Sequence, residues 1–476
     1  MSTEASARLS LWDGVSVVVG IVVGVSLFKV PASVFGNVDG PWAGLGVWAL
    51  GGLLSFVGAL CYAELTAAWP ESGGDYVYLS RAYGSCLGFL FGWAQLVAIL
   101  TGSIGAMAYV FADYAVALFG VGDSTAIAAV AVVGVTACNL FGLTWGRRVQ
   151  NALTLSKLVG LAGVLGVGAL AMARGGAPAH ASAPAPAHGG DLGFALVLVL
   201  YAYGGWSNAA FVASEVRDPH RNVPRVLLLG TGAVAALYLL VNAAYLGALG
   251  FDGLRAASAP AADVLAHGLG QAAGHGMSVL VMISALGAIQ GMVFTGARVY
   301  ARTGRDHPAF RSLSRWSPRA GVPARALCAQ AAASLLWIGA VGTPRGRDGL
   351  DSALAAAGLP GMPWQRFGGG FDTLVAGTAP AFWLFMIATG AALFALRRRE
   401  PAAPRPFRVP GYPLTPLVFC ASSLFMLEAA LRYAGSLAWV GLLPLALGVP
   451  LYLATRSRVT DRRRESPRPD ASPADR

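Results

Sequence analysis

Two short runs carry residue types able to hold a small charged ligand. GVSLFKVP at 24–31 and YAYGGWSN at 201–208 set glycine, serine or proline inside otherwise apolar stretches. Relative to alanine, glycine costs about 1 kcal/mol in a helix interior and proline about 3 kcal/mol. In hydrocarbon, a break leaves amides and carbonyls without water, so it is tolerated only where it lines a cavity. There the freed N–H groups hold an anion and the freed carbonyls a cation. Glycine that merely lets helices approach closely is the plainer reading of one such span, but two at corresponding positions point to a site. A third candidate is a charge. Lys157 sits in the apolar run NALTLSKLVGLAGVLGVGAL, 151–170, where an ammonium costs roughly 2.5–3.5 kcal/mol at mid-bilayer. The chain has only two lysines, Lys29 and Lys157, both in apolar segments, against 32 arginines.

The elements that position these residues follow from composition. Of 476 residues, 56% are hydrophobic and 12% charged, against about 25% charged in soluble proteins. Apolar spans fall near 14–35, 43–68, 86–118, 125–145, 150–173, 192–214, 224–249, 276–300, 324–342, 373–396, 413–434 and 436–455, long enough to cross ~30 Å of hydrocarbon. The expected fold class is all-α: a polytopic membrane protein of twelve transmembrane helices, too uniformly apolar for an outer-membrane barrel. The broken spans are the first and the sixth, five apart. That spacing predicts two repeats of five helices in opposite orientation with a site between them. The repeats are placed at 12–173 and 192–396, with helices 11 and 12 at 397–455.

The remainder is connection. A segment 1–11 precedes the first helix, a low-complexity outer loop occupies 174–191, and an irregular Gly/Pro-rich outer loop occupies 343–372. A disordered basic tail is expected at 456–476. The net charge of +11 does not point to nucleic acid, because the arginines sit in short loops. About 26 of the 32 fall on the side of the N-terminus, so the positive-inside bias places both termini in the cytoplasm, with the bacterial inner membrane as the location. The five cysteines have no metal-ligand spacing with histidine, so neither a zinc site nor a disulfide framework is expected, and no metal or cofactor. The N-terminus lacks a signal-peptide layout, so the first apolar segment is expected to stay.

The order of motifs resembles one family. GVSLFKVP (24–31), YAELTAAWPESGGDYVYLSRAYG (62–84), YAYGGWSNAAFVASEVRDPHRNVPR (201–225), GARVYARTGRDHPAF (296–310) and LRRREPAAPRPFRVPGYPLTP (396–416) are similar to the amino acid–polyamine–organocation (APC) superfamily, nearest its L-type amino acid transporter (LAT) branch. The resemblance covers roughly residues 10–455. It implies a leucine-transporter fold, a 5+5 inverted repeat plus two helices, and secondary active, sodium-independent amino acid transport by alternating access, as an exchanger or proton symporter, rather than an enzyme. It further implies that the substrate α-carboxylate rests on amides at Gly24, Val25 and Ser26, and the α-ammonium on carbonyls at Tyr201, Ala202 and Gly204. Tyr203 and Trp206 then gate or shape the pocket, and helices 3, 6, 8 and 10 form its side-chain part. Ser26 stands where the motif has glycine; its Cβ narrows the approach while its hydroxyl can donate. Lys157 matches the helix 5 lysine of sodium-independent members, a tethered cation in place of sodium and a candidate proton carrier. The outer loop near 118–124 lacks the cysteine that links a partner subunit in LAT relatives, so no disulfide-linked partner is expected.

Other ionisable residues are secondary. All six histidines map to loops, which leaves Glu64 or Asp113 as alternative proton carriers. Lys29 could meet an acidic substrate, close an outer gate or snorkel to the interface. Trp383 is a candidate outer gate, whereas Trp42 and Trp93 read as interface or packing residues. Glu428 and Arg432, four apart, read as a structural ion pair. The alternatives are a polyamine or acidic-amino-acid antiporter and, from another class, an ion channel, which needs a continuous polar stripe that the spans do not show.

Overall fold

The computed structural model describes residues 9–24, 26–71, 73–120, 122–141, 143–174, 192–257, 260–270, 272–356, 358–362, 364 and 369–465. Val25, the loop at 175–191 and the tail beyond 465 lie outside the described residues, as do the side chains of Lys29 and Lys157.

The described residues are helical apart from turns, loops and one bridge between Leu9 and Val216. Seven stretches among them are long and apolar enough to cross a bilayer. One of these, Leu414–Thr455, holds two helices, α16 (Leu414–Ala434) and α17 (Trp439–Glu465), which turn at Gly435 with φ 54°. The first span is split. Ser10 and Asp13 form a reciprocal capping box that starts α1 (Leu11–Val22), and the chain restarts after the break as α2 (Ser26–Gly36). At 1.5 Å per residue, neither half crosses ~30 Å alone. The sixth span is split likewise into α9 (Leu192–Ala202) and a 3₁₀ segment, Trp206–Glu215. With α7 (Ser124–Leu140) and α8 (Leu143–Ala173), the chain is a polytopic all-α membrane protein of twelve spans.

The remaining elements are α3 (Pro41–Ala68), α4 (Asp75–Tyr83), α5 (Ser85–Ala94), a π-helical turn at Gln95–Ile99, α6 (Leu100–Phe119), α10 (Pro219–Ala256), α11 (Pro260–Leu269), α12 (Ala272–Asp306), α13 (Ala324–Gly342), α14 (Pro344–Ala356) and α15 (Gly370–Arg399). Two expectations are corrected. The loop 343–372, expected to be irregular, contains α14: Pro344 suits the first helical position, and the Thr343 hydroxyl accepts from Gly346 N–H at 3.0 Å. The basic tail is helical as far as Glu465, because α17 does not end with its apolar part.

Two packing groups emerge. α1 and α3 both pack on α10, with α2 and α9 attached; α6, α7, α12 and α13 form a second set. Small residues allow the closest approaches. A Cβ on Gly14 would fall 2.6 Å from Val226, and one on Gly230 2.7 Å from Val18, so α1 and α10 meet at glycine. Large apolar side chains such as Leu53, Leu240 and Leu336 are exposed on the outside, as a lipid-facing surface requires.

Candidate functional site

A cavity of roughly 170 Å³ lies between the two broken spans. The break in helix 1 contributes Gly24 and Ser26, and the break in helix 6 contributes Tyr201, Ala202 and Gly204. Further walls come from the third span (α5, the π turn and α6), from α12 and from α15, including Trp383. The break glycines differ from the packing glycines. A Cβ on Gly24 would meet only carbonyls of its own segment, at 3.7 and 3.9 Å, and one on Gly204 only Tyr201 O at 3.1 Å. Gly205 has φ +101° and abuts Ile21 of α1, where a Cβ would sit 2.7 Å from Cγ2. The left-handed turn thus brings the two breaks together.

Carbonyls freed by the breaks must find donors. Tyr238 of α10 supplies one phenol to both breaks, donating to Val22 O at 2.7 Å and Ala202 O at 3.1 Å. Ser284 of α12 donates to Val23 O at 3.4 Å, and Ser26 to Ala202 O at 3.5 Å. Tyr201 O accepts from Gly204 N–H at 3.0 Å. An ammonium arriving at Ala202 therefore shares or displaces donors already present. Neither Tyr238 nor Ser284 stood out in the sequence: each is a lone polar residue in an apolar span.

The aromatic candidates divide. Trp383 lines the main cavity, its ring 5.1 Å edge-on from Phe382. Trp206 lines a smaller hollow of roughly 30 Å³ behind it and stacks edge-on against Tyr62 at 5.0 Å. Tyr203 lies behind the break rather than on the main cavity, 4.9 Å from the Tyr238 ring, and donates to Trp48 O at 3.2 Å.

Lys157 lies on α8, which packs against both α1 and α12. On either side of it along α8, Asn151 donates to Asp13 of α1 at 2.9 Å and Gly160 packs on Leu280 of α12. Lys29 is in α2, one turn beyond the break. Glu64, an alternative proton carrier, is the hub of an ion-pair network. Its oxygens accept from Arg397 at 2.9 and 2.6 Å and from Val409 N–H at 2.6 Å, with Arg405 at 3.6 Å. Asp113 accepts from Ser124 at 2.8 Å in an exposed position. The Glu428–Arg432 pair forms.

Two cavity residues went unnoticed in the sequence. Asp75, the first residue of α4, accepts hydroxyl hydrogen bonds from Tyr62 and, at 2.7 Å, from Thr389. Burial pushes its carboxyl up to about 6, the two hydroxyls pulling the other way. Gln95 opens the π turn, 4% exposed, and π turns recur at functional sites.

A model of the amino acid permease family matches residues 9–445. The chain belongs to the amino acid permease family. It is a membrane transporter, not an enzyme. The permease is 28% identical over 440 residues to human b(0,+)-type amino acid transporter 1, covering 90% of this chain and 83% of that one. It is 27% identical over 459 residues to the serine/threonine exchanger SteT of Bacillus subtilis (strain 168), covering 95% and 97%. It is 26% identical over 460 residues to the human cystine/glutamate transporter, covering 94% and 85%.

Proposed function

We propose that the permease is a sodium-independent amino acid exchanger that works by alternating access. The observation that carries this reading is the cavity walled by both helix breaks. A substrate carboxylate would rest on amides at the start of α2, at Gly24 and Ser26, and at Val25, which lies outside the described residues. The carbonyls at and just beyond the C-terminus of α9, at Tyr201, Ala202 and Gly204, receive the ammonium. The grouping of α1, α2, α3, α9 and α10 against α6, α7, α12 and α13 supports a rocking of the first set on the second. Exchange is favoured by the likeness to SteT, whose name states that activity. The inverted repeats span 12–173 and 192–396, followed by helices 11 and 12 at 397–455. The arginine bias supports a reading in which both termini are cytoplasmic, and we take the inner membrane as the location, with no disulfide-linked partner. Lys157, on the helix α8 that packs on α1 and α12, is the residue that would supply the cation that sodium supplies elsewhere.

The test is counterflow in proteoliposomes. Saturable uptake of labelled amino acid driven by unlabelled amino acid inside, unchanged when sodium is replaced by choline, is the expected result. Uptake driven by a proton gradient without internal substrate makes it a symporter, and ohmic current a channel. A thermal-shift screen of the twenty amino acids finds the ligand, since one at ten times its Kd stabilises by about 1.4 kcal/mol. Lys157→Ala is expected to abolish or uncouple uptake with insertion intact; normal uptake with unchanged ion dependence removes the lysine from the mechanism.

A further inference from the structure

The substrate backbone is accounted for by the breaks; its side chain is not. Most of the cavity wall is apolar. Among the described side chains, no lysine, arginine or histidine lines it, and Asp75 is its one carboxylate. Asp75 is 3% exposed, and its side-chain partners are two neutral hydroxyls, both reaching the same oxygen, Oδ1. Among the described residues, the other buried carboxylate, Glu64, is matched by Arg397 and Arg405, and the partly buried Glu215 is matched by Arg298. A buried charge without a counter-ion is costly, so its persistence in a ligand cavity calls for a cation from outside. The Gln95 carboxamide lines the same cavity, and its Oε1 has no hydrogen-bond partner.

We propose that Asp75, assisted by Gln95, reads the side chain of the transported amino acid and selects a cationic end over an anionic one. The preferred substrates carry an ammonium or guanidinium on an aliphatic stem. The stem lies along apolar wall residues such as Ile99, Leu100 and Met292, and the head reaches the acceptors. Neutral side chains enter without a charged partner. Acidic ones meet a like charge in a water-poor space, a repulsive element that sets specificity. The proposal rests on the amino acid exchanger reading and adds the substrate class.

The experiment is counterflow of labelled arginine, leucine and glutamate by the full-length permease in liposomes at pH 7.5. The wild type is expected to exchange arginine and leucine and to exclude glutamate. Asp75→Asn is expected to raise the KM for arginine about tenfold or more while leucine stays within about twofold. Gln95→Leu is expected to raise the arginine KM by a smaller factor. Glutamate exchange equal to arginine in the wild type, leucine exchange without arginine exchange, or a parallel loss of arginine and leucine in Asp75→Asn overturns the proposal. The wild-type arms stand even if a variant fails to fold. Counterflow of no amino acid at all overturns the exchanger reading and this proposal with it.

Discussion

The arginine-rich end of the bundle and the cavity handle charge in opposite ways. At that end the second half of helix 6 is tied to three elements. Leu9 donates to Glu215 O at 2.7 Å and accepts from Arg217 at 3.0 Å; Gly73 N–H donates to Phe211 O at 3.1 Å; and Glu215 takes Arg298 of α12 at 2.7 and 3.3 Å. Glu71 pairs with Arg81 and Arg302. In the cavity, the side-chain partners of Asp75 are hydroxyls. Where a carboxylate holds helices together, the chain supplies its counter-ion; where it faces the transported molecule, the chain leaves that role to the cargo. Matched pairs should therefore register in stability, and Asp75 in selectivity.

The strongest way to break this contrast is at Arg298, 1% exposed and also packed over the Phe294 ring at 3.8 Å. Arg298→Ala leaves Glu215 without its guanidinium, and removal of one partner of a buried pair costs about 3–5 kcal/mol. Thermal unfolding in detergent should show it as the largest loss among these variants. Arg298→Lys recovers only part, because a point charge cannot reproduce the two-pronged contact. Unfolding unchanged by Arg298→Ala would erase the difference between the two regions.

The second test sharpens the contrast between break and packing. Gly205→Ala forces a Cβ into a left-handed conformation and against Ile21, 2.7 Å away. The strain is about 1–2 kcal/mol, and exchange should fall more than stability, since the turn sets the spacing of the two breaks. Gly134→Ala in α7, where nothing lies within 4 Å of the added carbon, is the control and should leave both nearly unchanged. Counterflow and unfolding on the same preparations separate the two effects.

These residues also mark what could be read from the sequence. The breaks were legible because Gly24, Gly204 and Gly205 interrupt runs that would otherwise be continuous helix, and hydrocarbon penalises such interruptions. The twelve spans were legible for the same reason. Tyr238 and Ser284 were not: a tyrosine or serine in an apolar span looks the same whether it faces lipid, a neighbour or a freed carbonyl. Asp75 sits in a polar stretch between spans, where an acidic residue looks solvated; only the fold shows α4 reaching the cavity. Helix α14 was hidden because a loop rich in glycine and proline scores as irregular, although Thr343 and Pro344 form a start signal.

A third, smaller effect concerns pH. The groups around Asp75 are the phenols of Tyr62 and Tyr78 and the Thr389 hydroxyl, with Glu71 further along the loop. Because the folded-state carboxyl is raised from 3.8 to about 6, the folded chain binds this proton more tightly than the unfolded one. Stability from this group is therefore present at low pH and lost as pH rises through that window. The difference in unfolding temperature between wild type and Asp75→Asn, followed from pH 4 to pH 7.5, should carry this slope. Arginine exchange should move the other way, weakening a few-fold below about pH 6 as the carboxylate is neutralised, with leucine exchange much less affected. A flat arginine-to-leucine ratio across that range detaches selectivity from the Asp75 charge.

The smallest effect is expected at Glu428–Arg432, a pair read from its spacing alone. It lies near the end of α16 with side chains 46% and 81% exposed. Exposed i,i+4 pairs contribute about 0.3–0.5 kcal/mol, because both charges keep most of their solvation and gain little by meeting. Glu428→Gln should shift unfolding by no more than that, and added salt should shrink the shift further. A loss approaching that of Arg298→Ala would mean that the surroundings of α16 desolvate the pair, through a covering surface that the isolated chain does not present. The same variant thus tests whether the chain stands alone in the membrane at this face.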